Sequence, residues 1–185
     1  MSKEEIRNKL LNNRTDLAET TRSKHSAIIC ESVFSTLNET DQSIGVYLAT
    51  QYEVNLNALI NSLWISNREV YVPTVISNTE MNWHLFSCWE DCVTGKFDIQ
   101  TSSLEKQIAL SNLDVLIMPC VGFDRTNFNR IGMGGGFYDR ALQNLDQIPR
   151  KIGVAFSVQE YENLIAEPWD IPFDIMVTEI EIIRP

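Results

Sequence analysis

The sequence predicts an α/β domain with a mostly parallel central sheet and helices on both faces. Three observations carry that prediction. Short apolar runs of strand length alternate with segments of helical period, as in sheets whose strands are joined by crossover helices. The 185 residues are 44% apolar and 22% charged, an ordinary globular balance in a chain long enough to bury a core. Four glycines, Gly132, Gly134, Gly135 and Gly136, follow a buried-type strand, and in such sheets ligands bind beyond the carboxyl ends of strands. No tandem repeat or low-complexity linker interrupts the chain, so residues 1–185 are expected to form one domain.

The elements follow in order. Ser2 with Glu5 resembles a capping box, and Ile6 and Leu10 continue at helical spacing, which predicts a helix over residues 3–13 with Lys3 and Arg7 on one face. A second helix starts near Leu17 or Thr20 and runs to residue 37, with Ile29, Val33 and Leu37 on one stripe. Residues 44–49 read as a strand, 56–65 as a helix, and 69–73 and 81–86 as strands. From residue 88 to 111 the periodicity is poor, and Gly95 marks a turn. Residues 113–118 are a buried-type strand ending at Pro119. A helix over 138–145, a strand over 152–156, a helix over 158–165 and a last strand over 175–183, with room for a break, complete the chain.

Fifteen Lys and Arg stand against twenty-five Asp and Glu, for a net charge of −10. That balance argues against general nucleic-acid binding, which needs a basic face, and an anionic ligand would need locally concentrated cations. No apolar stretch approaches the roughly 20 residues of a membrane span, and the first residues lack the apolar core of a secretion signal. A cytoplasmic location is expected, with Cys30, Cys88, Cys92 and Cys120 as free thiols whose spacings fit no zinc pattern.

The glycines sit in the run Arg130-Ile131-Gly132-Met133-Gly134-Gly135-Gly136-Phe137-Tyr138-Asp139-Arg140. It is not a Walker A loop, because no Gly-Lys-Ser/Thr follows, and its spacing does not match Gly-x-Gly-x-x-Gly. A tight surface turn is the ordinary use of such a cluster. Before a helix, it also turns backbone amides toward an anion, and the flanking arginine and aspartate point to phosphate and a metal ion.

The wider segment, Met118-Pro119-Cys120-Val121-Gly122-Phe123-Asp124 followed by the run above, resembles the signature of the 5-formyltetrahydrofolate cyclo-ligase (5,10-methenyltetrahydrofolate synthetase) family. Other segments agree in order: Lys3 and Arg7 on the first helix, Tyr47-Leu48 and Glu53 after a strand, Val72-Pro73, Gly153-Val154-Ala155-Phe156-Ser157-Val158-Gln159, and Asp170, Asp174 and Val177-Thr178-Glu179. The resemblance implies ATP- and Mg²⁺-dependent closure of 5-formyltetrahydrofolate to 5,10-methenyltetrahydrofolate, with release of ADP and phosphate. It implies a small-molecule folate substrate, polyglutamylated or not, and no nucleic-acid or membrane partner. A monomer or weak homo-oligomer is expected.

The resemblance also implies residue roles. Lys3 and Arg7 would contact ATP phosphates, although Lys-x-x-x-Arg on a helix is ordinarily a solvated face. Arg130, Ile131, Gly132, Met133, Gly134, Gly135, Gly136, Phe137 and Tyr138 would form the ATP loop. Asp139 and Asp170 would bind Mg²⁺, where the ordinary uses are a helix N-terminal charge and a turn residue before Pro172. Glu53 would hydrogen-bond the pterin, and Leu48, Met133 and Phe137 would line its pocket, where the ordinary uses are an exposed acid and core packing. Arg130, Tyr138 and Asp139 are the catalytic candidates, with Tyr138 either a ring wall or a hydroxyl donor. His25 and His84 match no family site.

The chain departs from the family pattern between Asp124 and Arg130. Five residues without a glycine stand there, and Asn127 or Asn129 is the candidate for a positive-φ position. Two other readings stay open: a non-catalytic folate- or nucleotide-binding relative, and another phosphate-ester enzyme on a similar scaffold.

Overall fold

The computed structural model describes residues 1–77, 80–143 and 145–185. In chain order the elements are α1 (Lys3–Thr15), α2 (Glu19–Ser35), β1 (Ser43–Gly45), α3 (Asn57–Ile65), β2 (Glu69–Val75), β3 (Met81–Leu85), β4 (Cys92–Thr94), β5 (Gln100–Ser102), β6 (Gln107–Ile108), β7 (Val115–Pro119), β8 (Gly122–Phe123), β9 (Arg130–Ile131), α4 (Phe137–Gln143), β10 (Arg150–Val154), β11 (Ile175–Val177) and β12 (Ile182–Ile183). An eight-stranded sheet runs β12-β11-β10-β7-β1-β2-β3-β6, with β4-β5 and β8-β9 as separate two-stranded ribbons. Its five central strands, β11, β10, β7, β1 and β2, are parallel, and the outer pairings are antiparallel.

Helices cover both faces, as predicted. On one face Ile29 and Val33 of α2 and Leu59, Ile60 and Leu63 of α3 pack on Ile44, Val70, Val115, Ile117 and Ile152. On the other, Leu142 of α4 joins Trp83, Leu116, Met118, Phe128 and Phe173. Each such side chain contributes roughly 1.5–3 kcal/mol when buried. Helix α1 lies across the carboxyl end of the sheet, where Leu10 packs with Val121, Ile131 and Leu164.

Strand order reverses at the centre. From β1 the chain crosses by α3 to β2 on one side, whereas β7 pairs with the other side of β1. The segments leaving β1 and β7 therefore diverge and open a crevice above their carboxyl ends, the usual ligand position in open parallel sheets.

Two elements differ most from the sequence prediction. The strand over 44–49 stops at Gly45: Val46 still donates to the Tyr71 carbonyl at 2.8 Å, and the chain then turns inward with Tyr47 and Leu48 buried. The helix over 158–165 does not form. A 3₁₀ turn at Ser157–Gln159 ends it, because the Gln159 side chain donates to the carbonyls of Cys120 (2.8 Å) and Val121 (2.9 Å) and Tyr161 donates to the Phe123 carbonyl. The last strand is indeed broken, folding back so that β12 pairs antiparallel with β11. In the segment of poor periodicity, Gly95 precedes a 3₁₀ turn at Lys96–Asp98 that closes the β4-β5 hairpin. The helix expected over 138–145 is observed at Phe137–Gln143, beginning one residue earlier; residue 144 lies outside the described residues.

Candidate active site

A cavity of about 710 Å³ opens above the switch point, within the usual range for small-molecule sites. Lys3, Arg7, Leu48, Glu53, Arg130, Gly132, Met133, Gly134, Gly135, Gly136, Phe137, Tyr138, Asp139 and Asp170 all line it. Ile131 does not. Its side chain is buried against Leu10, where it holds the β8-β9 ribbon to α1, so only its backbone belongs to the glycine loop.

Helix α1 brings cations to this loop. Its capping box is complete, with the Ser2 amide donating to Glu5 Oε2 (2.6 Å) and the Glu5 amide donating to Ser2 Oγ (3.2 Å). The bond from the Ser2 amide holds the Glu5 carboxyl below its ordinary range. One turn on, Arg7 Nε donates to the Gly132 carbonyl at 2.8 Å. Lys3 Nζ pairs with Asp170 Oδ2 at 2.9 Å.

Arg130 is buried on β9, its guanidinium 5.2 Å from the centre of the Phe173 ring. It donates to Asp139 Oδ1 and to the Ile171 carbonyl. The Ile171 amide also donates to Asp139 Oδ1, at 3.2 Å, and the Glu167 amide donates to Asp170 Oδ2 at 2.9 Å. The two aspartates are thus drawn to one corner, Asp139 from the start of α4 and Asp170 from the loop before β11.

The turn before Arg130 takes its left-handed residue at Phe128 (φ 58°), not at Asn127 or Asn129. Both asparagine side chains are committed elsewhere, donating to the Leu164 carbonyl, and the Phe128 ring is buried in the second core. Packing and side-chain hydrogen bonds outweigh the intrinsic cost of positive φ for a bulky residue.

On the opposite wall, Glu53 Oε2 accepts from both the amide and the hydroxyl of Thr50, each at 2.8 Å. Those bonds fix the carboxylate toward the cavity. Beside it, Tyr47 donates its hydroxyl to the Val54 carbonyl at 2.8 Å. Burial, then Glu53, push the Tyr138 phenol well above its ordinary value against the pull of Arg130, so it stands protonated as a donor. Its ring also packs 6.4 Å from Trp83, so Tyr138 offers both a wall and a hydroxyl.

The model of the 5-formyltetrahydrofolate cyclo-ligase family matches residues 1–179. The chain belongs to this family. A 5-formyltetrahydrofolate cyclo-ligase of Haemophilus influenzae is 38% identical over 153 residues, covering 74% of this chain and 75% of its own. That of Escherichia coli K12 is 35% identical over 148 residues, covering 76% and 79%. The solved Aquifex aeolicus 5,10-methenyltetrahydrofolate synthetase superposes with a TM-score of 0.86 at 30% identity, covering 100% of this chain and 93% of that one. Membership makes the chain an enzyme, a ligase of folate one-carbon metabolism.

For this cyclo-ligase, sequence reasoning missed several cavity residues. Tyr47, Thr50, Pro119, Cys120, Glu167 and Trp169 reach it through loops whose paths no periodicity encodes. Arg14 was within reach: positions 3, 7, 10 and 14 share one helical face, and Arg14 lines the same cavity as Lys3 and Arg7. His25 and His84 lie away from it. His25 faces Glu179 at 3.4 Å, and His84 Nδ1 lies 2.7 Å from the Leu104 carbonyl.

Proposed function

We propose that the chain closes 5-formyltetrahydrofolate to 5,10-methenyltetrahydrofolate in an ATP- and Mg²⁺-dependent reaction that releases ADP and phosphate. One observation carries this reading. Arg7 and Lys3 reach the glycine loop and the aspartate corner on one side of a cavity whose other side presents Glu53. A triphosphate and a folate ring would lie side by side in such a space.

The chemistry explains the need for ATP. An N-formyl oxygen is a poor leaving group. It takes the γ-phosphoryl group as the bond to ADP breaks, leaving a positively charged N5. N10 then attacks the formyl carbon and loses its proton, and phosphate departs with the carbon–oxygen electron pair. The protein's part is alignment and charge compensation. Loop amides, Arg7 and Lys3 would hold the phosphates, and Arg130 would supply a further cation beside them. Tyr138 would donate a hydrogen bond at the reacting centre, Glu53 would accept from the pterin amino group and ring N–H, and Leu48, Met133 and Phe137 would contact its faces.

The donor set at the aspartate corner fits Mg²⁺. Asp139 and Asp170 are hard oxygen ligands, and among the described residues no group of three or more His, Cys, Asp and Glu forms a metal cage. Mg²⁺ commonly takes one or two carboxylates with substrate phosphates and water filling the rest. Bound there, it would offset phosphate charge.

A cytoplasmic location and a monomer or weak homo-oligomer belong to the same reading. Among the described residues no helix is long and apolar enough to cross a membrane. The test is direct: purified protein is mixed with 5-formyltetrahydrofolate, Mg²⁺ and ATP, and methenyl product is followed by its near-ultraviolet absorbance. Product that needs ATP is expected. Folate binding without product under these conditions would overturn the assignment.

A further inference from the structure

Arg14 is a cation of the cavity with no role above. Arg14 sits near the end of α1, on the face that carries Lys3 and Arg7, and lines the cavity while only 6% exposed. Its Nε is buried without a hydrogen-bond partner, and among the described residues no carboxylate pairs with the guanidinium. The other cations of the cavity are engaged: Lys3 with Asp170, Arg7 with the Gly132 carbonyl, Arg130 with Asp139 and the Ile171 carbonyl, and Arg140 with the Gly135 carbonyl. Guanidinium cannot shed its charge by losing a proton, and an uncompensated buried charge is costly. A fold keeps such a group where a ligand completes it.

Its surroundings say which ligand. Cys120 lines the same cavity and lies within electrostatic reach of Arg130, Arg14 and Glu53 together. Arg14 therefore shares one cavity with the glycine loop and with Glu53. A pterin ring held by Glu53 offers this point only neutral acceptors. A phosphoryl group moving from the loop side toward the ring brings a full anion there, with its charge spread over three oxygens during transfer.

We propose that Arg14 is a catalytic residue that binds the phosphoryl group in transit to the formyl oxygen, and afterwards the released phosphate. The proposal rests on the cyclo-ligase reading above. Its N–H donors, for which the described residues supply no hydrogen-bond partner, would aim at oxygens that carry most charge in the transition state, the arrangement that most favours rate over ground-state binding.

The test uses Arg14→Met and Arg14→Lys in the full chain. For Arg14→Met, kcat is expected to fall about 100-fold or more, the scale for losing one such donor. Folate affinity, measured without nucleotide, is expected to stay within about threefold, while affinity for inorganic phosphate, read by thermal shift, is lost. Arg14→Lys should recover part of kcat. The melting temperature of Arg14→Met should hold or rise, because an unpaired buried charge is removed. Folate affinity falling along with kcat would make Arg14 a folate contact and overturn the proposal. So would unchanged kcat, an unchanged phosphate response, or a large drop in melting temperature. If the wild-type protein makes no methenyl product, the cyclo-ligase reading fails by itself, and the phosphate titration still reports whether Arg14 is an anion site.

Discussion

Arg7 Nε donates to the carbonyl of Gly132 at 2.8 Å, joining residues 125 positions apart in sequence. That bond makes the first helix part of the glycine loop. It consumes one guanidinium donor and leaves the terminal nitrogens, which the proposed reading assigns to phosphate. Arg7→Lys keeps the charge but loses the fork, so the KM for ATP is expected to rise roughly tenfold with little change in the KM for folate. Steady-state kinetics with each substrate varied would check this. An unchanged KM for ATP would detach Arg7 from the phosphates.

Glu53 anchors its own loop through Thr50 while facing the cavity. Glu53→Gln retains an acceptor oxygen for Thr50 and removes the negative charge. Folate binding is expected to weaken by about 1.5–3 kcal/mol, the worth of a hydrogen bond to a charged group. ATP binding should stay within about twofold. Calorimetric titration of each ligand separates the effects, and equal losses would indicate a distorted loop.

Asp139 serves both the aspartate corner and the buried Arg130. Asp139→Asn keeps an acceptor for Arg130 and the Ile171 amide, so the fold should survive. Mg²⁺-dependent turnover is expected to fall about 100-fold or more, since a bound metal ion supplies several kcal/mol of charge stabilisation. Asp139→Ala should lose turnover as severely and also cost stability, because Arg130 is left unpaired. Turnover at the wild-type level in either variant would remove Asp139 from the metal site.

Gly122 sits beneath α1. A Cβ there would lie 2.2 Å from Leu10 Cδ1 and 3.2 Å from the Gln159 carbonyl oxygen. Gly122→Ala should therefore lift α1 and cost roughly 1–3 kcal/mol, the range for an overpacked core. Because α1 carries Lys3 and Arg7, ATP affinity should fall with stability. Urea denaturation and ATP titration on the same variant would show both losses, and a stable variant that had lost only ATP affinity would contradict the coupling.

Alkaline pH offers another check. Burial pushes the Cys30 thiol up to about 11 and Cys120 up to about 12. The folded state thus favours the neutral thiols, a contribution that is complete below the ordinary thiol range and lost as pH rises through these values. Stability to urea is expected to hold to about pH 8 and decline above it. Both thiols should resist iodoacetamide at pH 8 until the protein unfolds. Rapid alkylation of Cys120 in the folded protein would refute its burial.

Much of the fold could be read from local pattern. The stripe Ile29–Val33, the helix over 56–65, the apolar runs of β2 and β7, and the Ser2–Glu5 cap are short-range signals, and all appear close to where local pattern put them. The failures share one cause. Residues 158–165 have helical composition, yet Gln159 is drawn to the Cys120 and Val121 carbonyls and the chain extends past Phe123 instead. Phe128 takes positive φ because the second core holds its ring. In each case a partner distant in sequence outweighs local preference.

The family, the α/β class and the residues of the glycine run follow from the chain's order of residue types, because motif spacing and hydrophobic period are one-dimensional properties. Folding alone decides that Lys3, Arg7 and Arg14 face the same cavity as Glu53, and that Asp139 and Asp170 share a corner. Those meetings depend on the reversal of strand order between β1 and β7 and on α1 closing over it. Proximity between distant residues is a property of the packed sheet, with no counterpart in any local stretch of sequence.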